Sequence, residues 1–252
     1  MEKKINERGH YDYVTGIPAF SSGVRAHTGY EIVRAVFERP LPWSQGFDAI
    51  ERHFERDGGS STDLCSIELR CPSPYTAGGF DSFNETYVQR LLSMGVFESG
   101  EENPVGRTNV APVQHAPGEQ SMYAFSYVRP STTERAASFV IAGGGEVRGG
   151  TIDSETIVSY GDVSEDGMMA KASFVLEVMS KRLECLGLSW SDARTVNVYT
   201  KHNIEGRVER LIEARVGETG VHGIHLYRTA PPVEHIEFEM DVKGPTWELA
   251  LP

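Results

Sequence analysis

Apolar residues recur along this chain with two different periods, one typical of strands and one typical of helices. Residues 30–37 alternate between two faces, as expected for a strand that is buried on one side. Phe47, Ile50 and Phe54 instead fall on one face of a helix predicted over 47–56. Similar spacing predicts helices over 82–94, 164–185 and 204–216. Further strands are predicted over 11–20, 64–70, 108–113, 121–128, 137–143, 155–160, 195–200, 223–227 and 233–242.

The same order of predicted elements occurs twice: strand, strand, helix, strand, helix, strand, strand. Residues 58–69 and 187–198 share a landmark, because each stretch ends a helix at a glycine turn and then begins a strand. A short polar stretch at 130–135, introduced by a proline, separates the halves. The sequence therefore predicts an α+β fold of two tandem units, 1–130 and 136–252, each a mixed sheet with two helices on one face.

The balance of charge narrows the class of partner. The chain has 24 lysines and arginines against 36 aspartates and glutamates, a net charge of −12, and no basic block. Nucleic acid and anionic membranes are therefore not expected as partners. No apolar run approaches the roughly 20 residues that span a bilayer, and the first residues lack an apolar leader, so we expect a cytoplasmic protein. Its three cysteines lack paired spacing and are expected to be reduced thiols.

Two motifs that resemble ligand sites are set aside. The glycine run 143–145, with two more glycines at 149–150, is followed by a β-like segment rather than a helix, so we predict a turn and not a phosphate loop. His222 and His225 stand three apart on a predicted strand and point to opposite faces, so no metal site is expected.

The order of these features resembles one known family. The Gly-Leu-Ser-x-x-Asp stretch at 187–192, the helix, strand and helix around it, and an Arg and Pro segment before the last strand are similar to the reactive intermediate deaminase family, also called Rid or YjgF. The resemblance covers most of 135–243 and, more weakly, 11–129. It implies chorismate-mutase-like units that trimerise and hold their sites in clefts between units. There an arginine binds a substrate carboxylate and a glutamate orients water for imine hydrolysis, without metal or organic cofactor.

The family's site residues map onto both halves of the chain. Asn84 begins the family's Asn-x-x-Tyr motif, and Arg107 matches its cleft arginine. The first half lacks the glutamate, because its closing strand has Ser-Met-Tyr-Ala-Phe at 121–125, whereas Glu237 matches the glutamate in the second half. The second arginine position falls near His222. The resemblance thus implies Glu237 and Arg107 as catalytic residues and Arg107, Asn84 and His222 as substrate-binding residues.

The residues alone leave other interpretations open. Arg107 can be a solvated surface charge, Asn84 the N-cap of its helix, and Glu237 a residue on a solvent-facing strand. An arginine would suit a carboxylate because its planar fork donates two parallel hydrogen bonds.

The resemblance implies a hydrolytic deaminase for a small enamine or imine carboxylate. Among tandem members the chain resembles the 2-aminomuconate deaminases of aromatic degradation, which would release ammonia and leave 2-hydroxymuconate or 4-oxalocrotonate. The cation for a second carboxylate stays open among His222, Arg70 and Arg228. Two alternatives remain, a chorismate-type hydrolase or lyase and a non-catalytic protein that binds a small acid.

The predicted sheets also imply assembly. Helices are expected to cover one face of each sheet, and we predict Val196, Val198, Ile236 and Phe238 on the other face. An apolar face of this kind needs a partner, so we predict a homo-oligomer, a trimer or a multiple of one.

Overall fold

The computed structural model describes residues 1–131, 137–149, 151–244 and 247–252. In these ranges the chain forms two mixed β-sheets and four α-helices, in agreement with the predicted α+β class. The helices are α1 (Trp43–Asp57), α2 (Ala77–Ser93), α3 (Glu165–Cys185) and α4 (Arg207–Val216). The strands are β1 (Lys3–Asn6), β2 (Tyr11–Val14), β3 (Gly23–Ala26), β4 (Tyr30–Pro42), β5 (Leu64–Arg70), β6 (Gly106–Pro112), β7 (Ser121–Pro130), β8 (Phe139–Gly145), β9 (Thr195–Tyr199), β10 (Ile224–Tyr227), β11 (Thr229–Ala230), β12 (Glu239–Lys243) and β13 (Trp247–Leu251). No helix in the described ranges has both the length and the apolar character needed to cross a bilayer.

Each sheet combines strands from both halves of the chain. The first sheet has the order β1-β2-β3-β8-β12-β9-β10, and the second has the order β11-β6-β5-β7-β4-β13. The first three strands thus join the sheet of the second half, while β11 and β13 join the sheet of the first half. The predicted units 1–130 and 136–252 therefore exchange strands, and residues 132–135 of the predicted linker lie outside the described residues.

The helices cover one face of each sheet. In the first sheet, Val196, Val198 and Phe238 pack in one core cluster with α3 side chains such as Val175 and Met179. These sheet residues were expected on an uncovered face, and that assignment is wrong because they face the helices. Ile236 is also buried within the chain, in a separate cluster beside Phe80. None of the four residues supplies a reason for assembly.

The opposite faces of the two sheets meet through polar side chains. Thr108 on β6 donates a hydrogen bond to Asp241 on β12 at 2.9 Å and accepts one from the backbone nitrogen of Gly143 on β8 at 3.1 Å. Asp241 also accepts hydrogen bonds from Asn197 at 2.7 Å and Tyr199 at 2.8 Å. A buried carboxylate is tolerated when it is this well hydrogen-bonded. These contacts hold β6 against β8 and β12, and a cavity lies beside them.

Two stretches that were predicted as strands have another structure. Residues 155–160 form turns with a single bridge between Ile157 and Val147, so the strand predicted there is wrong. Of the strand predicted over 233–242, only β12 is formed, because the chain turns before it and His235 adopts a positive φ of 69°. Both errors concern segments whose alternation resembles a strand but whose backbone has no neighbouring ladder.

Candidate active site

A cavity of about 450 Å³ lies between the two halves, where β6 approaches β8 and β12. Its polar lining includes Arg107 from β6, Arg182 from α3 and Glu239 from β12. Apolar side chains form much of the wall, among them Ile17, Phe20, Phe80, Val178, Val233 and Ile236. A concave, mostly apolar site with a few converging polar groups is the usual form of a small-molecule site.

Arg107 is buried and ready to bind an anion. Its Nη2 donates to Asn84 Oδ1 at 2.7 Å, while its buried Nη1 has no hydrogen-bond partner. The guanidinium stands over the rings of Phe20 at 4.4 Å and Tyr87 at 4.7 Å. Burial lowers the pKa of Arg107 to about 10, so the group remains a cation at neutral pH. An unpaired donor on a buried cation is costly unless a ligand accepts from it.

Asn84 has a positioning contact rather than a capping one. It lies in the middle of α2, whose N-cap is Thr76, and its side chain accepts the Arg107 hydrogen bond. The N-cap interpretation is therefore wrong, and the structure brings together the two first-half residues that the family resemblance singled out.

Glu239 is the carboxyl that shares the cavity with Arg107. It is only 5% exposed. Burial raises its pKa to about 8, and the nearby charge of Asp241 acts in the same direction, whereas Arg182 and Arg107 oppose the rise. A carboxyl in this range can both donate and accept a proton near neutral pH, which is the property of a general acid or base.

The glycine run at 143–145 forms the floor of the cavity. Residues of β8 continue as a strand through Gly145, so the turn predicted here is wrong. A Cβ on Gly143 would overlap Glu239 Oε1, and one on Gly144 would lie 2.9 Å from Arg182 Nη1. Glycine inside a strand is a known sign of close approach. These glycines let the charged side chains lie flat against the β8 backbone.

Arg182 was not identified from the sequence. Its Nη1 donates to the backbone oxygen of Ala142 at 2.8 Å and to that of Gly143 at 3.3 Å, and its buried Nε has no partner. Burial lowers the pKa of Arg182 to about 10. One signal was available: Arg182 interrupts the apolar stripe of α3, three residues after Met179 and four before Leu186.

Glu237 and His222 do not line this cavity. Glu237 is held by Lys201 at 3.0 Å and His202 at 2.7 Å. Burial opposes the effect of these contacts, but the hydrogen bonds from His202 and Lys201 lower the pKa of Glu237 below its usual value. His222 is exposed at the end of a 3-10 helix. The geometry moves the candidate glutamate from Glu237 to Glu239.

The other candidates for a second cation also lie elsewhere. Arg70 stands 4.2 Å above the Tyr123 ring, away from the cavity, and Arg228 is exposed. Across the described ranges, no group of three or more histidine, cysteine, aspartate or glutamate side chains is arranged to hold a metal ion.

Comparison with known proteins identifies the family. The model of the family described as 2-aminomuconate deaminase CnbZ matches residues 3–249. The chain belongs to that family. A protein of Comamonas testosteroni named 2-amino-5-chloromuconate deaminase is 41% identical over 245 residues, which cover 96% of each chain. These matches confirm the resemblance to 2-aminomuconate deaminases.

Among solved structures, a chorismatase shares the fold. Its crystal structure superposes with a TM-score of 0.55 at 14% identity, covering 97% of this chain and 80% of that one. At this level of identity, the similarity supports a shared fold and gives no information about the reaction.

Proposed function

We propose that the protein hydrolytically deaminates an aminomuconate, an enamine that bears carboxylates, and releases ammonia. The observation that carries this proposal is that Glu239 and Arg107 line one cavity between the halves. Glu239 is a carboxyl whose pKa of about 8 suits proton transfer, and Arg107 has a free donor for a carboxylate. The family and the named relative support the same substrate class.

The first step makes the carbon electrophilic. Arg107 binds the carboxylate next to the amino-bearing carbon and fixes the substrate in the cavity. The protonated Glu239 carboxyl donates its proton to a carbon of the conjugated dienamine. The amino nitrogen supplies its lone pair, so the amino-bearing carbon becomes an iminium carbon and Glu239 becomes a carboxylate.

The second step adds water and expels ammonia. The Glu239 carboxylate takes a proton from water as the oxygen bonds to the iminium carbon, which gives a neutral carbinolamine. Glu239 then returns that proton to nitrogen, the carbon–nitrogen bond breaks, and ammonia leaves. The hydroxyl proton passes back to Glu239. The net reaction is enamine plus water giving a 2-oxo acid plus ammonia, with Glu239 protonated as at the start.

Two neighbouring glutamates allow a sharp test. Glu239→Gln keeps the shape but removes the proton carrier, so ammonia release from 2-aminomuconate generated in situ should fall about 100- to 10,000-fold. Glu237→Gln removes the same charge two residues earlier and should retain most of the rate. The reverse order of effects would show that the sequence-based choice of Glu237 was right and that the present assignment is wrong.

Further measurements separate binding from chemistry. Arg107→Lys keeps a charge but loses the planar fork, so KM should rise about 10- to 100-fold with a smaller change in kcat. Because these steps need only protein side chains and water, the parent rate should not change with excess chelator or need an added cofactor. Pyruvate release from chorismate, with no ammonia from 2-aminomuconate, would contradict the proposed function and favour the chorismate-type alternative.

A further inference from the structure

Two guanidinium groups from opposite halves of the chain line the cavity, that of Arg107 buried and that of Arg182 half-buried. Arg107 comes from β6 and Arg182 from α3, and each lines the cavity. Within the described ranges, neither one has a carboxylate within 4.0 Å, although the whole protein carries a net charge of −12. A cation that is removed from water without an anion beside it is costly, so both guanidinium groups are suited to an anionic ligand.

The contacts of Arg182 differ from those of a structural arginine at a helix end. Such a residue usually donates to the last carbonyls of its own helix. Arg182 instead donates through Nη1 to two carbonyls of β8, on the cavity floor. Its Nε is buried without a partner. The edge formed by Nε and one Nη is one of the edges with which a guanidinium can bind a carboxylate through two hydrogen bonds.

The surroundings of Arg182 favour a ligand that spans the cavity. Gly144 provides the space for the guanidinium, because a Cβ there would lie 2.9 Å from Nη1 and 3.1 Å from Nη2. Val178 and Ile236 supply apolar contact surface beside it. The charges of both arginines act on Glu239 and oppose the rise of its pKa. A rod-like ligand with an anionic group at each end would match this arrangement.

We propose that Arg182 binds the second carboxylate of a dicarboxylate substrate and so determines the selectivity for diacids over monoacids. This inference rests on the proposed function for the identity of the substrate. It assigns the second cation to a residue of the second half, whereas Arg107 in the first half binds the first carboxylate. The substrate would then bridge the two halves, with its apolar chain over the glycine floor.

Two probes of equal length isolate the second carboxylate. trans,trans-Muconate and sorbate have the same conjugated chain, but sorbate has a methyl group in place of one carboxylate. The parent protein should bind muconate about 10- to 100-fold more tightly than sorbate, as expected for a hydrogen-bonded ion pair in a buried site. Titration calorimetry measures both affinities without any turnover.

Arg182→Met should abolish this preference by weakening muconate while leaving sorbate nearly unchanged. Lys181→Met, at the exposed neighbouring position on α3, removes the same charge and should preserve the preference. If Arg182→Met fails to fold, as judged by circular dichroism, Arg182→Lys takes its place. Lysine keeps the charge but lacks the planar guanidinium, so the preference for muconate over sorbate should be at least several-fold lower than that of the parent. An unchanged muconate-to-sorbate ratio in a folded Arg182 variant would overturn the assignment.

The outcomes distinguish this inference from the proposed function. If the parent releases ammonia from 2-aminomuconate but Arg182 variants keep the parent preference, only the role of Arg182 is wrong. If the parent prefers muconate through Arg182 but releases no ammonia, the proposed deamination is wrong and the diacid site stands.

Discussion

Two glutamates close in sequence have opposite electrostatic environments. Glu237 lies among cations, and its pKa is lowered, whereas Glu239 is buried beside Asp241, and its pKa is raised to about 8. The difference arises from the backbone that precedes β12. The carboxylate of Glu146 accepts hydrogen bonds from the backbone nitrogens of Glu237 at 2.6 Å and Phe238 at 3.0 Å. This segment is therefore not a continuation of the strand.

The raised pKa of Glu239 predicts a pH-dependent stability. Between its ordinary value of 4.5 and about 8, the folded protein holds a proton that the unfolded chain releases, so the free energy of unfolding falls as pH rises. Glu239→Gln removes this titration. Since a pH unit in this window is worth about 1.4 kcal/mol, the variant should be more stable than the parent by a few kcal/mol at pH 8 and similar to it at pH 4. Denaturant unfolding at both pH values checks this.

Glu237→Gln serves as the control with the opposite sign. The ion pairs of Glu237 lower its pKa, so they contribute stability above the ordinary carboxyl pKa that is lost as pH falls through the lowered value. Its replacement should therefore reduce stability at neutral pH. A Glu239→Gln protein that is less stable than the parent at pH 8 would show that Glu239 is ionised and well paired in the folded state.

The strand β8 illustrates how one element shapes the site. Its glycines carry no side chain toward the cavity, and Glu239 and Arg182 occupy the space that a Cβ would take. The strand also contacts β6 through the hydrogen bond between Gly143 and Thr108. The same element thus joins the halves and makes room for the charged groups.

Gly143→Ala should damage the site through this close approach. A Cβ would overlap the Glu239 carboxyl and lie 3.2 Å from the backbone Cα of Thr108, which cannot move freely. We expect at least a 10-fold loss of kcat and a loss of about 1–3 kcal/mol in stability, the usual cost of overpacking. The rate of ammonia release and urea unfolding measure the two effects.

Gly78→Ala is the matched control. Gly78 lies in α2, and a Cβ there meets no atom within 4 Å. The substitution should stabilise the helix by up to about 1 kcal/mol and leave the rate unchanged. Equal behaviour of the two alanine variants would mean that β8 yields easily and that its glycines are not needed for the site.

The sequence predicts the elements that carry a clear apolar pattern of their own. The predicted strand 64–70 has the bounds of β5, and the predicted helix 164–185 differs from α3 by one residue, because a capping serine and a long apolar stripe mark it. The strands β1 and β13 were missed: β1 is an edge strand of only four residues beside β2, and β13 forms by pairing with the distant β4. Arg107 and Asn84 were found through a motif. The site formed by Arg182 and the glycine floor depends on the approach of separate elements, and the break in the apolar stripe of α3 was its one local signal.

The whole molecule uses its internal duplication unequally. Ile67 on β5 pairs with Arg107, and Val196 at the equivalent position on β9 pairs with Ile224. Ile224, not His222, therefore occupies the second arginine position. In the same way, Arg70 on β5 pairs with Ser121, and Tyr199 at the equivalent position on β9 pairs with Glu239. Ser121 is therefore the first-half equivalent of Glu239. Among these equivalent strand positions, the arginine and the glutamate occur together only at the cleft that β6 forms with β8 and β12.

The homo-oligomer, a trimer or a multiple of one, remains a prediction. The apolar residues first assigned to an interface are buried within the chain. On β10, at the edge of the first sheet, Leu226 is 53% exposed, and an exposed edge strand can pair with another copy. Light scattering should still give a trimer or a multiple of it, and a mass of 27.8 kDa would rule this out.

Binding stoichiometry should be one dicarboxylate per chain, whatever the oligomeric mass. A cleft formed between copies at the second-half position would present Ile224 and Ser121, neither of which can neutralise a carboxylate. Titration of the parent with trans,trans-muconate should saturate at one site per chain. Arg107→Ala should weaken binding at least 10-fold, because the buried cation is lost. Ser121→Ala should change neither affinity nor stoichiometry. Two equivalent sites per chain would show that a second cation enters the other cleft, and the single-site account of the duplication would then be wrong.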